Sequence, residues 1–188
     1  MITKVHDKLL KMTALMALGS FICLAPGQAS VDALGGSLIQ ATPYDRRISA
    51  AGVLSVDSAP ALNALLSSDE LFRQAKSIRY VSDAAGHDYW QAPQETQDRW
   101  SGDCEDKALW LFAQLKKNSH GNVRLVVGRH HSFDKNFHVW VTLVDGQNNV
   151  WILDPTAQKK IWRSSDFDGS SYKPLYSFDG INRYRHTS

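Results

Sequence analysis

The longest stretch without a charge lies near the start of the chain. Met12 to Ala25 is almost wholly apolar and follows Lys4, Lys8 and Lys11. Pro26 and Gly27 break it, and Ala29 offers a small residue before Ser30. This three-part layout predicts a secretory signal peptide over residues 1–29 and a periplasmic or secreted product. The apolar run falls short of the roughly 20 residues that span a bilayer. Cys23 follows Ile22, where a lipoprotein signal would carry a small residue. No second long apolar run follows, so the mature chain is expected not to be membrane-embedded. Residues 30–58 are rich in Ala, Gly and Ser without a sustained period and read as an irregular N-terminal arm.

Regular patterning begins after that arm, and residues 59–188 read as one domain. Ala59 to Leu66 is expected to form a short helix. Ser67-Ser68-Asp69-Glu70 supplies cap-type residues before Leu71, Phe72, Ala75 and Ile78 at helical spacing. Pro93 keeps Ala92 extended and opens a short helical turn. From Cys104 or Glu105 to Lys117, the residues Ala108, Leu111, Phe112 and Leu115 form one apolar stripe. Val123 to Gly128 reads as a strand. Phe137 to Val144 alternates, with Phe137, Val139, Val141 and Leu143 on one face. Asp145 to Asn149 is a turn cluster and Val150 to Leu153 the return strand. Ile161-Trp162 and Pro174 to Phe178 each suggest a further short strand. Helices followed by antiparallel strands predict an α+β fold, with the Cys104 helix packed on an antiparallel sheet.

Charge changes the picture only by subtraction. Residues 1–29 hold three Lys and one Asp; without them the 21 basic residues fall to 18 and the 19 acidic ones to 18. A balanced chain of about 159 residues calls for neither nucleic acid nor an anionic membrane.

Cysteine changes it more. If Cys23 leaves with the signal, Cys104 is the one thiol of an exported chain, and an odd cysteine there is a candidate reactive group. It sits where a helix begins, and the unpaired N–H groups there favour a thiolate. Asp103, Glu105 and Asp106 oppose it. A nearby imidazolium or a bound cation would resolve that conflict. His138 is the candidate base, opposite the apolar stripe of its strand. A five-residue loop pairs Val144 with Val150 and sets His138 opposite Thr156. Asp154 is then a diagonal neighbour at about 7–8 Å by Cβ, within reach of the imidazole. Thiol, base and orienting acid are the parts of nucleophilic catalysis. An oxyanion donor is sought among Gln91, Gln94, Gln97 and Trp100, with no choice between them.

Asp88-Tyr89-Trp90-Gln91-Ala92-Pro93-Gln94-Glu95, followed by Gly102-Asp103-Cys104-Glu105-Asp106 and Ala108, resembles the bacterial transglutaminase-like cysteine peptidases, the LapG-like periplasmic proteases. The resemblance runs from about Ala75 to Pro155. It implies a papain-like, transglutaminase-like core, with Cys104 as nucleophile, His138 as base and Asp154 as orienting acid. It also implies a calcium site at Asp103 and Glu105, with Asp106 as a further candidate, and a protein substrate such as a surface adhesin. The chain departs from the pattern at Lys107, Val139 and Pro155, where an aromatic residue, Met and Asn are usual.

Each of these residues also has a structural reading. Cys104 can be a small buried hydrophobe, His138 a strand histidine and Asp154 a turn residue before Pro155. The three acids can simply complement a helix dipole. His120, His130, His131 and His138 match no zinc spacing, and Asp166 to Gly169 reads as a turn. The function expected is an exported cysteine protease acting through a thioacyl-enzyme. The alternatives are a transamidase or deamidase using the same intermediate, and a non-catalytic binding module of the same fold.

Overall fold

The computed structural model describes residues 34–52, 67–118, 122–131, 137–167 and 171–187. The expected signal peptide and the helix expected over Ala59 to Leu66 lie outside the described residues.

The centre of the domain is one helix, α4 (Cys104–Lys117), beginning and ending where its period predicts. Acids in its first turn and lysines in its last complement the helix dipole. The sequence stripe implied one buried face, yet Leu109, Trp110 and Ala113 are buried as well as Ala108, Leu111, Phe112 and Leu115. A helix buried all round needs cover on both sides. One side is the sheet. The other is α2 (Ser68–Ser77) and α3 (Pro93–Arg99). Ser67 caps α2, accepting from the Glu70 N–H at 3.2 Å, and Leu71, Phe72 and Ala75 turn its buried face toward the core. Pro93 occupies the first turn of α3, where its missing N–H leaves no bond unmade.

The sheet has seven antiparallel strands in the order β1-β9-β8-β4-β5-β6-β7. These are β1 (Ser37–Ile39), β4 (Asn122–His130), β5 (His138–Val144), β6 (Val150–Leu153), β7 (Trp162–Arg163), β8 (Tyr172–Phe178) and β9 (Arg183–Arg185). A separate parallel pair joins β2 (Arg79–Tyr80) to β3 (Ser101–Gly102). In the central ladder Leu125 faces Val141 and Val127 faces Val139, and all four side chains enter the α4 core. Val126, Trp140 and Ile152 form a second cluster, with Phe167 and Tyr172 against it. The sheet is therefore apolar on both faces along β4 and β5.

Two features lie beyond the sequence expectation. The stretch read as an irregular arm contributes β1 and the short helix α1 (Asp45–Ala50). Its order comes from distant partners: β1 pairs with β9, and Ile48 is fully buried in the main core. The chain also turns back after β8 into β9, which no local period announces.

At Val127/Gly128 the β4–β8 register shifts. A Cβ on Gly128 would run into the Lys173 carbonyl and lie 2.5 Å from Trp140 Cη2. Gly128→Ala should therefore destabilise the domain by overpacking, by about 1–3 kcal/mol. The measurement is the urea midpoint at unchanged slope, and an unmoved midpoint would mean the strands separate freely there.

Candidate active site

The start of α4 is fixed by the residues just before it. Trp100 ends α3 in the left-handed region, φ 47°, and its N–H bonds the Thr96 carbonyl at 2.8 Å. Ser101 and Gly102 then pair with Arg79 and Tyr80. A Cβ on Gly102 would lie 2.5 Å from Asp106 Cβ, so this position has room only for glycine. Asp106 uses that room. Its carboxylate accepts from Gln91 N at 2.8 Å, from Gln91 Nε2 at 2.6 Å and from Asp103 N at 3.2 Å. Gly-Asp-Cys-Glu-Asp is thus one packed unit in which Asp106 ties the helix start to the Trp90-Gln91 segment.

Cys104 is half-buried and unpaired. The N–H of Val139, next to His138, bonds toward its sulfur. The thiol itself donates to Glu105 Oε2 at 3.0 Å. Burial, then the charge of Glu105, pushes the thiol's ionisation well above its ordinary range.

His138 stands at the first residue of β5, and Asp154 follows the last residue of β6. The hairpin register pairs Val144 with Val150, as a five-residue loop requires. His138 Nε2 meets Asp154 Oδ2 at 2.7 Å. That leaves Nδ1 as the imidazole's other nitrogen. Asp154 is completely buried. Burial raises a carboxyl's pKa, but here the His138 bond and charge, with the N–H groups of Ala157 and Thr156, reverse it and hold the group ionised. The turn after Pro155 supplies those two donors, at 3.0 and 2.9 Å to Oδ1.

The acids beside Cys104 behave in the opposite way. Burial, and then the hydrogen bond and charge of Glu105, raise Asp103 far above the usual carboxylate range. Glu105 is raised by burial too, and Asp106 is pushed up to about 6, again chiefly by burial. Asp103 Oδ1 is buried without a partner. Oxygens of Asp83, Asp88 and Glu105 lie within 4.8 Å of one another, and ligand atoms of Asp103, Cys104 and Glu105 do the same. This is an acidic cluster that could hold a metal. Asp106 is not in either group, because its oxygens face Gln91 and the Asp103 N–H.

Several participants were invisible in the sequence. Asp83 and Asp88 reach Glu105 from a loop whose path no period predicts. Tyr172, on β8, donates to Asp154 Oδ2 at 2.9 Å, and the Gln158 amide lies 3.0 Å from the same hydroxyl. Of the glutamines considered as oxyanion donors, Gln91 holds Asp106 and Ser101 O, Gln94 donates to Asp98, and Gln97 accepts from Trp110. Trp100 packs edge-on against Trp110, ring centroids 5.5 Å apart. Lys107 is buried, with Nζ 3.5 Å from the Lys76 carbonyl. Among the described residues no helix is long and apolar enough to cross a membrane.

The thiol at a helix start is set against an antiparallel sheet that carries a His–Asp pair, within an α+β fold. The same fold is found in LapG of Legionella pneumophila. Its calcium-bound form superposes with a TM-score of 0.56 at 22% identity, over 78% of this chain and 81% of that one. The EGTA-treated form gives 0.58 at 21% identity, over 79% and 81%. No protein-family model and no curated protein matches the chain.

The raised acids carry a pH signature. A carboxyl whose folded-state pKa lies above its unfolded value stabilises the fold below the unfolded value and loses that contribution as pH rises through the folded one. Metal-free Glu105→Gln should therefore melt higher than wild type at about pH 7.5, with the gain shrinking toward about pH 5. Scanning calorimetry in chelator measures this; an equal gain at both values would place the cluster's charge in water.

Proposed function

We propose that the chain is an exported cysteine peptidase acting on a protein, with Cys104 as nucleophile, His138 as base and Asp154 as orienting acid. The observation that carries the reading is the 2.7 Å His138–Asp154 contact at the end of β5 where the Val139 N–H meets the Cys104 sulfur. The likeness to LapG supports a protein substrate, such as a surface adhesin. The signal-like residues 1–29 support a periplasmic or secreted location. Asp154 holds the Nε2 side of the imidazole, leaving Nδ1 to take the thiol proton.

Attack forms a carbon–sulfur bond at the substrate carbonyl, and His138 returns the proton to the leaving amine as the peptide bond breaks. Water, deprotonated by His138, then releases the acyl group and restores the thiol. An amine in place of water would give transamidation, and a glutamine side chain as substrate would give deamidation.

Calcium belongs to this proposal. The hard oxygens of Asp83, Asp88, Asp103 and Glu105 suit it, and the unpartnered Asp103 Oδ1 is the buried oxygen such an ion would satisfy. When bound, it would supply positive charge against the carboxylates that disfavour a thiolate. Asp106, engaged with Gln91, is left to the helix start. A second reading, a non-catalytic binding module, is favoured by one observation: the thiol bonds Glu105 rather than His138.

Alkylation of Cys104 by iodoacetamide across pH separates the two. With calcium, the wild-type thiol should ionise well below the free value of about 8.5, and His138→Ala should abolish that shift. A thiol indifferent to His138 would make the chain a binding module. Comparing the surface proteome of cells carrying wild type or Cys104→Ala should reveal a shed protein only with wild type. Against that substrate, His138→Ala should lower kcat/KM by a factor on the order of 10³ or more.

A further inference from the structure

We infer that Tyr172 is a positioning residue for the Asp154–His138 pair. Asp154 receives four hydrogen bonds. Thr156 N and Ala157 N, at 2.9 and 3.0 Å, hold Oδ1. His138 Nε2 and Tyr172 Oη, at 2.7 and 2.9 Å, share Oδ2. An ionised carboxylate has no proton to give, so the phenol donates. The two backbone donors arise within the Asp154 turn, and Tyr172 crosses from β8, with β4 and β5 between it and β6. It is the contact that ties the acid to the far side of the sheet.

The phenol is itself held. Its ring packs against His130, Phe167 and Trp140, at centroid distances of 4.7, 5.1 and 5.2 Å. The Gln158 amide sits 3.0 Å from Oη. Burial, then the charge of Asp154, opposes ionisation of this hydroxyl, so it remains a neutral donor. Two donors on one oxygen divide its accepting power. Tyr172 therefore fixes the direction of Oδ2 and also moderates how strongly it draws the imidazole N–H. His138 meets Asp154 directly, and its ring neighbours are His130 and Trp140, at centroid distances of 5.5 and 6.1 Å.

The bearing on catalysis rests on the peptidase reading; the geometry does not. The test uses Tyr172→Phe, which removes one oxygen, and Phe167→Leu, which loosens the packing of the same ring and leaves its hydroxyl in place. The first readout is the NMR shift of the His138 Nε2 proton in full-length protein, assigned by its loss in His138→Ala. Tyr172→Phe should move it further downfield, because Asp154 Oδ2 becomes a stronger acceptor, while Phe167→Leu should leave it in place. The second readout is the iodoacetamide rate at Cys104, expected to rise about fivefold in Tyr172→Phe, the equivalent of one ordinary hydrogen bond, because a stronger Asp154 acceptor makes His138 a stronger base for the thiol. A wild-type shift in Tyr172→Phe, or an equal shift in Phe167→Leu, would overturn the inference. If wild-type alkylation ignores His138 while the proton still moves, the peptidase reading falls and the positioning role stands.

Discussion

The packing of α4 on β4 and β5 is the constraint on which the rest of the site depends. The helix is buried on all sides, so it cannot slide along the sheet without opening voids in a close-packed core. Its first residue is Cys104, and the strand it meets begins at His138. The position of the thiol relative to the imidazole is therefore set by Leu111, Phe112, Val139 and Val141, side chains that take no part in the chemistry. Gly102 and Asp106 secure the same arrangement at the helix start, because the carboxylate that caps the helix also grips Gln91.

Within this frame the buried carboxylates fall into two kinds. Asp154 has every oxygen lone pair it can use directed at a donor, so it stays ionised despite complete burial. Asp103 and Glu105 lie close together, and burial pushes both toward the protonated form, with the hydrogen bond and charge of Glu105 pushing Asp103 further. The first arrangement suits a permanent negative charge that orients an imidazole. The second is a local electrostatic strain that a proton or a cation relieves. The fold thus holds a stable anion after β6 and an unstable cluster at the start of α4, on segments far apart in the sequence.

Much of this was legible beforehand, where the signal is local. The span of α4 followed from its period and from acids and lysines at opposite ends. The β5–β6 register followed from reading Asp145 to Asn149 as a five-residue turn; a four-residue loop would have put Asp154 on the other face. That register brings His138 to Asp154. Other parts left no local trace. β1 and α1 are ordered by β9 and by the main core, and nothing in their own composition marks them. Tyr172 is 18 residues from Asp154 and reaches it only because β8 pairs with β4.

The sequence by itself determined the elements, the antiparallel α+β arrangement, and the presence of a thiol, an imidazole and a carboxylate at element ends. Tertiary structure decided which acids face one another. Spacing along the chain suggested Asp103, Glu105 and Asp106 as one group. The fold replaced Asp106 with Asp83 and Asp88, because a helix turns successive side chains in different directions and a distant loop fills the vacant side. Periodicity fixes the direction of a side chain from its own element; only packing between elements fixes what it meets.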